Sequence, residues 1–333
     1  MNASSPLSLT LRVAEVRELN PHIRMFRFMH PGGQALPGWT PGAHVKVRVE
    51  LPDGSADLRH YSLIELEGLA GAPGFSPACY TIAVRRDPAG RGGSVYMHDR
   101  LHAGVTVEVE APRNDFELKP ATGTTVLLAG GIGITPLASM AARCRAIGRP
   151  VKLVYAGRSR DSMALLPELQ ALLGEDLQVH ADAEANGAIF DVDGFLDGLA
   201  PDDHLYVCGP KPLLDRVLQA SERRQWAPGR LHFELFSSPV LETGDQPFEV
   251  ELAQSGQTFE VPVGQSILDC LIEHGCDPLF DCKRGECGVC ATPVLSGEPD
   301  HRDYVLSRAE KDSGKVIQIC VSRAKGRKIV LDI

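Results

Sequence analysis

Five of the chain's nine cysteines, Cys270, Cys276, Cys282, Cys287 and Cys290, fall within 21 residues, and the last three stand in the spacing C-x4-C-x2-C. With Cys320 supplying a fourth thiolate from a later strand, this is the ligand spacing of a plant-type [2Fe–2S] cluster. A structural zinc site would pair two short C-x2–4-C or C/H knuckles, and only one C-x2-C is present. Gly285 and Gly288 would let backbone amides approach the sulfurs, where donated hydrogen bonds stabilise the charge added on reduction. Cys270 and Cys276 read as a buried helix residue and a loop thiol. An odd cysteine count in a long chain without an export signal argues against a disulfide framework.

At 333 residues the chain should fold as two or three units. The first, 1–118, reads as short strands (Leu9–Val16, Val45–Leu51, Tyr80–Arg85, Val105–Glu110) punctuated by Pro-Gly and Asp-Gly turns, which predicts an antiparallel β-barrel. From residue 124 the period changes. Strands at Thr124–Ala129, Val151–Ala156, Leu177–Ala181 and His204–Cys208 alternate with helices at Pro136–Ile147, Ala164–Leu173 and Pro212–Arg224, so 119–235 should be an α/β domain on a parallel sheet. The polar stretch 236–247 reads as a linker. The last unit, 248–333, mixes strands (Phe248–Ala253, Thr258–Val263, Lys315–Val321, Lys328–Ile333) with one capped helix, Ser266–His274, in an α+β arrangement.

A formal charge of −9 argues against a phosphate-tracking nucleic-acid surface. No apolar run reaches the roughly 18 residues needed to span a bilayer, so a cytoplasmic protein with no membrane partner is expected.

Two further constellations carry chemistry. Gly130-Gly131-Ile-Gly133-Ile-Thr135-Pro136 follows a strand and opens a helix, the context in which glycine amides and a helix N-terminus hold a pyrophosphate. It lacks the last glycine of G-x-G-x-x-G, and Gly157-Arg158-Ser159-Arg160 replaces the usual acidic residue. Arg158 and Arg160 could therefore hold a 2′-phosphate, leaving NADH and NADPH both open. Cys208-Gly209-Pro210 ends a later strand, where ligands of open α/β sheets bind. Earlier, Arg59-His-Tyr61-Ser62 joins a phosphate-pairing cation to an aromatic ring and a hydroxyl, and Gly90-Arg-Gly92-Gly93-Ser94 offers an amide-rich turn. Together they suit a flavin whose phosphate lies near Arg59 and Gly92–Ser94 while Tyr61 and Ser62 meet its ring.

On these motifs, with His232-Phe233-Glu234, Gly297-Glu-x-Asp-His-Arg-Asp303 and Cys320-Val-Ser-Arg-Ala324, the chain resembles the phthalate dioxygenase reductase family from about Leu7 to Ile333. The resemblance implies FMN rather than FAD in a ferredoxin-reductase-type barrel, a nicotinamide domain, and a β-grasp ferredoxin domain. It also implies Thr135 and Cys208 beside the nicotinamide and flavin, with Phe233 as an aromatic near the stacked rings. The implied activity is that of an NADH-dependent reductase passing electrons through FMN and the cluster to a Rieske-type oxygenase, an aromatic-ring dioxygenase or O-demethylase. The alternative is a stand-alone NAD(P)H oxidase or flavin reductase carrying a ferredoxin-like interaction module. Docking should be transient, with Lys283, Arg284 and Glu286 as candidates, and the chain is expected to be a monomer.

Overall fold

The computed structural model describes residues 7–227, 229–236 and 244–333, and the chain divides into two compact units, Met1–Glu234 and Leu235–Ile333. The first unit begins with six antiparallel strands: β1 (Ser8–Asn20), β2 (Ile23–Met29), β3 (His44–Glu50), β4 (Ala56–Ser62), β5 (Cys79–Arg85) and β6 (Thr106–Arg113). Their order is β4-β3-β6-β1-β2-β5. Side-chain alternation sorts the faces: in β3, Val45, Val47 and Val49 are buried while Arg48 and Glu50 face solvent. Just past β4 the Ile64 amide donates to the Thr81 carbonyl of β5 at 2.8 Å, which draws the two sheet edges together. Phe26, Phe28, Tyr80, Ile82 and Met97 fill the interior. The helix α1 (Gly93–Arg100) contributes Met97 to that core.

Two of these strands, β2 and β4, have no counterpart among the strands expected from the sequence. β4, Ala-Asp-Leu-Arg-His-Tyr-Ser, is a polar edge strand with no clean apolar alternation, and it carries the Arg59-Tyr61-Ser62 motif.

The same unit continues with β7 (Thr125–Gly130), β8 (Val151–Gly157), β9 (Leu177–Ala181), β10 (His204–Gly209) and β11 (Leu231–Leu235), ordered β11-β10-β7-β8-β9. The β10–β7, β7–β8 and β8–β9 pairs are parallel. β7 is buried along its whole length, as a strand covered on both faces must be. Between the strands run α2 (Ile134–Ala146), α3 (Leu166–Leu173), α4 (Val192–Asp197) and α5 (Lys211–Arg223). Because β7 and β10 are neighbours in the sheet, their carboxyl ends, Gly130 and Gly209, meet although 79 positions apart in sequence.

The second unit contains β12 (Phe248–Leu252), β13 (Thr258–Val261), α6 (Ile267–Glu273), β14 (Ala291–Ser296), β15 (Pro299–Asp300), α7 (Arg308–Ser313), β16 (Val316–Gln318), β17 (Arg323–Ala324) and β18 (Lys328–Leu331). Its five-stranded sheet runs β13-β12-β18-β14-β16 and is mixed, with β12 and β18 parallel and β12–β13 and β14–β18 antiparallel. Ser266 caps α6 as expected, its hydroxyl accepting from the Asp269 amide at 3.0 Å. Cys270 is buried in the core beneath that helix and Cys276 is half-buried in the loop after it. The strand expected at Lys315–Val321 stops at Gln318. The Val321 and Ser322 amides bond back to the Gln318 carbonyl at 3.3 and 3.0 Å, so Cys320 sits in a turn rather than on a strand. Most of the expected linker, 237–243, lies outside the described residues. Among the described residues no helix is long and apolar enough to cross a membrane.

Candidate functional site

The cysteine loop is wound so that its backbone points inward. Lys283, Gly285 and Gly288 all take positive φ (54°, 76° and 77°), which is uncommon for lysine and marks a backbone constrained by its surroundings. A Cβ on Gly285 would meet Val321 Cγ2 at 2.7 Å and Asp303 Cα at 3.0 Å, so only glycine lets the loop close against the segment behind it. Cys282, Cys290 and Cys320 are buried, and Cys287 is exposed. The thiols meet in pairs, Cys282 with Cys287 and Cys290 with Cys320.

The Cys287 thiol, together with the amides of Arg284, Glu286 and Cys287, draws the Cys282 thiol down in spite of its burial. Cys290 is lowered chiefly by the Cys320 thiol. The Arg284 amide lies 3.3 Å from Cys282 Sγ, and the Gly285 amide is directed at Cys320. Two thiol pairs with amides aimed at Cys282 and Cys320 are the donor chemistry an anionic iron–sulfur group uses, although among the described residues the thiols are not gathered into one closed metal cage.

In the first unit, β4 alternation turns Asp57, Arg59 and Tyr61 to one face. The Arg59 guanidinium packs against the start of α1. A Cβ on Gly93 would lie 2.4 Å from Arg59 Nε, and Gly92, at φ 91°, caps the helix with no side-chain acceptor and no acidic residue in its first turn. Arg59 Nη2 is buried and makes no hydrogen bond among the described residues. An orphaned cationic donor beside free helix amides is what a phosphate would complete. Gly92, Gly93 and Ser94, expected as a turn, thus form the cap and first turn of a helix. Ser94 Oγ accepts from the Asp87 amide at 3.0 Å, so its backbone amide is what it offers a ligand. Burial raises the Tyr61 phenol, keeping it neutral, and Ser62 ends the strand buried.

The glycine turn is shaped first by packing. A Cβ on Gly133 would lie 2.1 Å from the Cys208 carbonyl oxygen, and one on Gly130 would lie 2.6 Å from Pro210 Cδ, so the turn and Cys208-Gly209-Pro210 are pressed together. Gly131, at φ 56°, has nothing within 4 Å of its Cβ direction and opens outward. Thr135 Oγ1 donates to the Ile132 carbonyl at 3.1 Å, and Pro136 sits in the first turn of α2, where a missing amide costs little. Arg158 and Arg160 are both exposed past the end of β8, and Arg160 Nε is bonded to Glu184 Oε1 at 2.7 Å. Phe233 is half-buried on β11, one strand further from the turn than β10. The preceding His232 stacks on Tyr206 at 4.4 Å, and burial lowers its pKa to about 4.

Sequence reading missed the groups that join these two stations. Ser139 of α2, fully buried, accepts from the Glu65 amide at 3.0 Å and donates to the Leu63 carbonyl at 2.9 Å, immediately after Tyr61-Ser62. Arg143 Nη1 donates to the Gly68 carbonyl at 3.1 Å, and Gly68 lies so close to α2 that a Cβ would come within 2.4 Å of Ala146 Cβ. The helix that opens at the glycine turn is therefore fastened along its length to the loop leaving the β4 motif. A polar residue on the buried face of α2, Ser139, was the available signal.

Residues 250–325 match the family model of the 2Fe-2S iron-sulfur cluster binding domain, and residues 127–219 that of the oxidoreductase NAD-binding domain. The chain is 39% identical to the putative toluene-4-sulfonate monooxygenase system reductase subunit of Comamonas testosteroni over 100% of both chains. It is 36% identical to vanillate O-demethylase oxidoreductase of a Pseudomonas sp., covering 96% of this chain and 98% of that one. Among solved structures it is similar to phthalate dioxygenase reductase, described as a modular structure for electron transfer from pyridine nucleotides to [2Fe-2S]. That match has a TM-score of 0.74 at 37% identity and covers 98% of each chain.

Proposed function

The chain belongs to the phthalate dioxygenase reductase family, and from that membership we propose that it is the NADH-dependent reductase component of a Rieske-type oxygenase. The carrying observation is the cysteine loop, whose four thiols and inward amides form a built site for a one-electron carrier in the same chain as a nucleotide-binding sheet. Cys282, Cys287, Cys290 and Cys320 would ligate the [2Fe–2S] cluster.

Arg59 and the amides of Gly92, Gly93 and Ser94 would bind the phosphate of FMN, with Tyr61 and Ser62 at its ring. Gly130, Gly131, Gly133, Thr135 and Pro136, with Cys208, Gly209 and Pro210, would hold the nicotinamide nucleotide beyond the strand ends. Phe233 on β11 would supply an aromatic face near the rings. The bound flavin supplies the conversion between a two-electron hydride donor and a one-electron acceptor. The chain's residues contribute position. Ser139 and Arg143 fix α2 against the loop after Ser62, holding the two binding sites in one rigid frame. Glu184 neutralises Arg160, which would weaken its hold on a 2′-phosphate and so favour NADH.

The loop charges expected at a docking face are engaged in ion pairs within the chain. Lys283 Nζ is bonded to Asp269 Oδ1 at 2.9 Å, and buried Arg284 pairs with Glu286 at 3.1 Å. Exposed apolar side chains flank the cysteine loop in sequence: Leu279 is 80% exposed, with Phe280 and Val289 also on the surface. An oxygenase would meet this face through apolar side chains, in a small transient contact with a monomeric reductase. Mixing the purified chain with NADH and a Rieske oxygenase under anaerobic conditions should reduce the oxygenase. NADH consumption only when oxygen is admitted, with the oxygenase left oxidised, would support the stand-alone oxidase instead.

A further inference from the structure

One carboxylate stands next to the proposed phosphate site, where charge alone would disfavour it. Asp57 precedes Arg59 by two residues on β4, so both side chains lie on the strand's ligand-facing side with Tyr61. Asp57 Oδ2 accepts from Arg59 Nη1 at 2.5 Å, and its Oδ1 accepts from the Leu58 amide at 2.7 Å. The carboxylate is thereby fixed at both oxygens. Nε lies where a Cβ on Gly93 would stand 2.4 Å away, so the glycine leaves just enough room for the guanidinium. Each nitrogen of Arg59 has a separate assignment: Nη1 to Asp57, Nε against the first turn of α1, and Nη2 buried with no hydrogen-bond partner among the described residues.

We propose that Asp57 is a positioning residue for flavin binding, locking the Arg59 guanidinium in the one orientation that presents Nη2 to the phosphate. This rests on the assignment of Arg59 to the FMN phosphate. Arginine loses side-chain freedom when it binds, and a neighbouring carboxylate that removes this freedom beforehand strengthens each hydrogen bond made later. The opposing effect is repulsion between Asp57 and the phosphate. The two effects predict opposite outcomes on removal of the carboxylate, so the residue's role is open to a direct test.

The full chain, stripped of flavin, would be titrated with FMN and with riboflavin, which lacks the phosphate. The ratio of the two dissociation constants isolates the phosphate's contribution. Asp57→Ala should weaken FMN about tenfold, the loss of one charge-assisted contact, and leave riboflavin unchanged. Asp57→Asn, whose amide oxygen can still accept from Nη1, should restore FMN binding to within about threefold of the parent, since a neutral acceptor keeps the orientation. Unchanged or tighter FMN binding by Asp57→Ala would overturn the proposal, leaving the carboxylate as a source of repulsion only. Equal weakening of FMN and riboflavin would also overturn it, assigning Asp57 a general structural role. If the parent chain itself failed to prefer FMN over riboflavin, the phosphate assignment of Arg59 would fall, a result separate from any effect of Asp57.

Discussion

The cluster loop and the nucleotide-binding turn are both glycine-shaped, yet they are built on opposite logics. In the loop, three of the four cysteines and both critical glycines fall between Cys282 and Cys290, so local chain geometry supplies nearly the whole site. At the turn, Gly130 and Gly133 are needed because Pro210 and the Cys208 carbonyl, 80 and 75 residues further along the chain, press on them. A local site can be damaged without harming the fold, whereas a site made at a packing junction fails together with it.

That contrast gives the largest expected effect to the ligands. Cys287→Ser should abolish electron delivery to cytochrome c while NADH-driven flavin bleaching stays largely intact, because Cys287 is exposed and little packs on it. Undiminished cytochrome c reduction would break the assignment of the loop.

Gly133→Ala should do the reverse, destabilising the first unit by about 3 kcal/mol through overpacking, since its Cβ would lie 2.1 Å from a backbone oxygen. Gly131→Ala, with open space but positive φ, should cost only about 1 kcal/mol. Denaturant melts of the two variants that coincide would erase the distinction between a packed and an open glycine.

Arg59→Ala should weaken FMN by about 1.5–3 kcal/mol, roughly 10- to 150-fold, because the buried Nη2 donor has no other partner among the described residues. Retention of flavin through dialysis would remove Arg59 from the phosphate site. Smaller still, Glu184→Gln should raise kcat/KM for NADPH by about threefold, an exposed ion pair being worth under 1 kcal/mol, by freeing Arg160. An unchanged NADPH to NADH ratio would separate Arg160 from the 2′ position.

The smallest effect concerns pH. His232 is half-buried, and its desolvation holds it at about pKa 4, below its ordinary 6.5, so its contribution to stability is complete above pH 6.5 and is lost as pH falls toward 4. The first unit's melting temperature should drop across that window, and His232→Gln should flatten the profile. Parallel profiles for the two proteins would contradict it.

Legibility followed the same division. The C-x4-C-x2-C spacing reads directly because the ligands are neighbours, and the parallel sheet reads because β7 is continuously apolar. β4 was invisible as a strand because an edge strand carrying Asp57, Arg59 and His60 has no apolar period, although its motif was visible as chemistry. Cys320 was expected on a strand because Val316, Ile317 and Ile319 continue the apolar run, and the turn at Gln318 is made by backbone bonds that composition does not encode. Lys283 and Arg284 looked like docking charges because their partners Asp269 and Glu286 are set by the folded loop. Ser139, Arg143, Asp57 and Glu184 act through contacts made only once strands and helices far apart in sequence are packed.

Electrons entering as hydride in the first unit would leave singly through a [2Fe–2S] cluster held by Cys282, Cys287, Cys290 and Cys320. An anaerobic titration of the full chain with NADH, followed by electron paramagnetic resonance, tests it most directly. The account predicts the signal of a reduced [2Fe–2S] cluster in step with flavin bleaching, and loss of that signal alone in Cys287→Ser. Flavin bleaching with no cluster signal in the parent chain would contradict it.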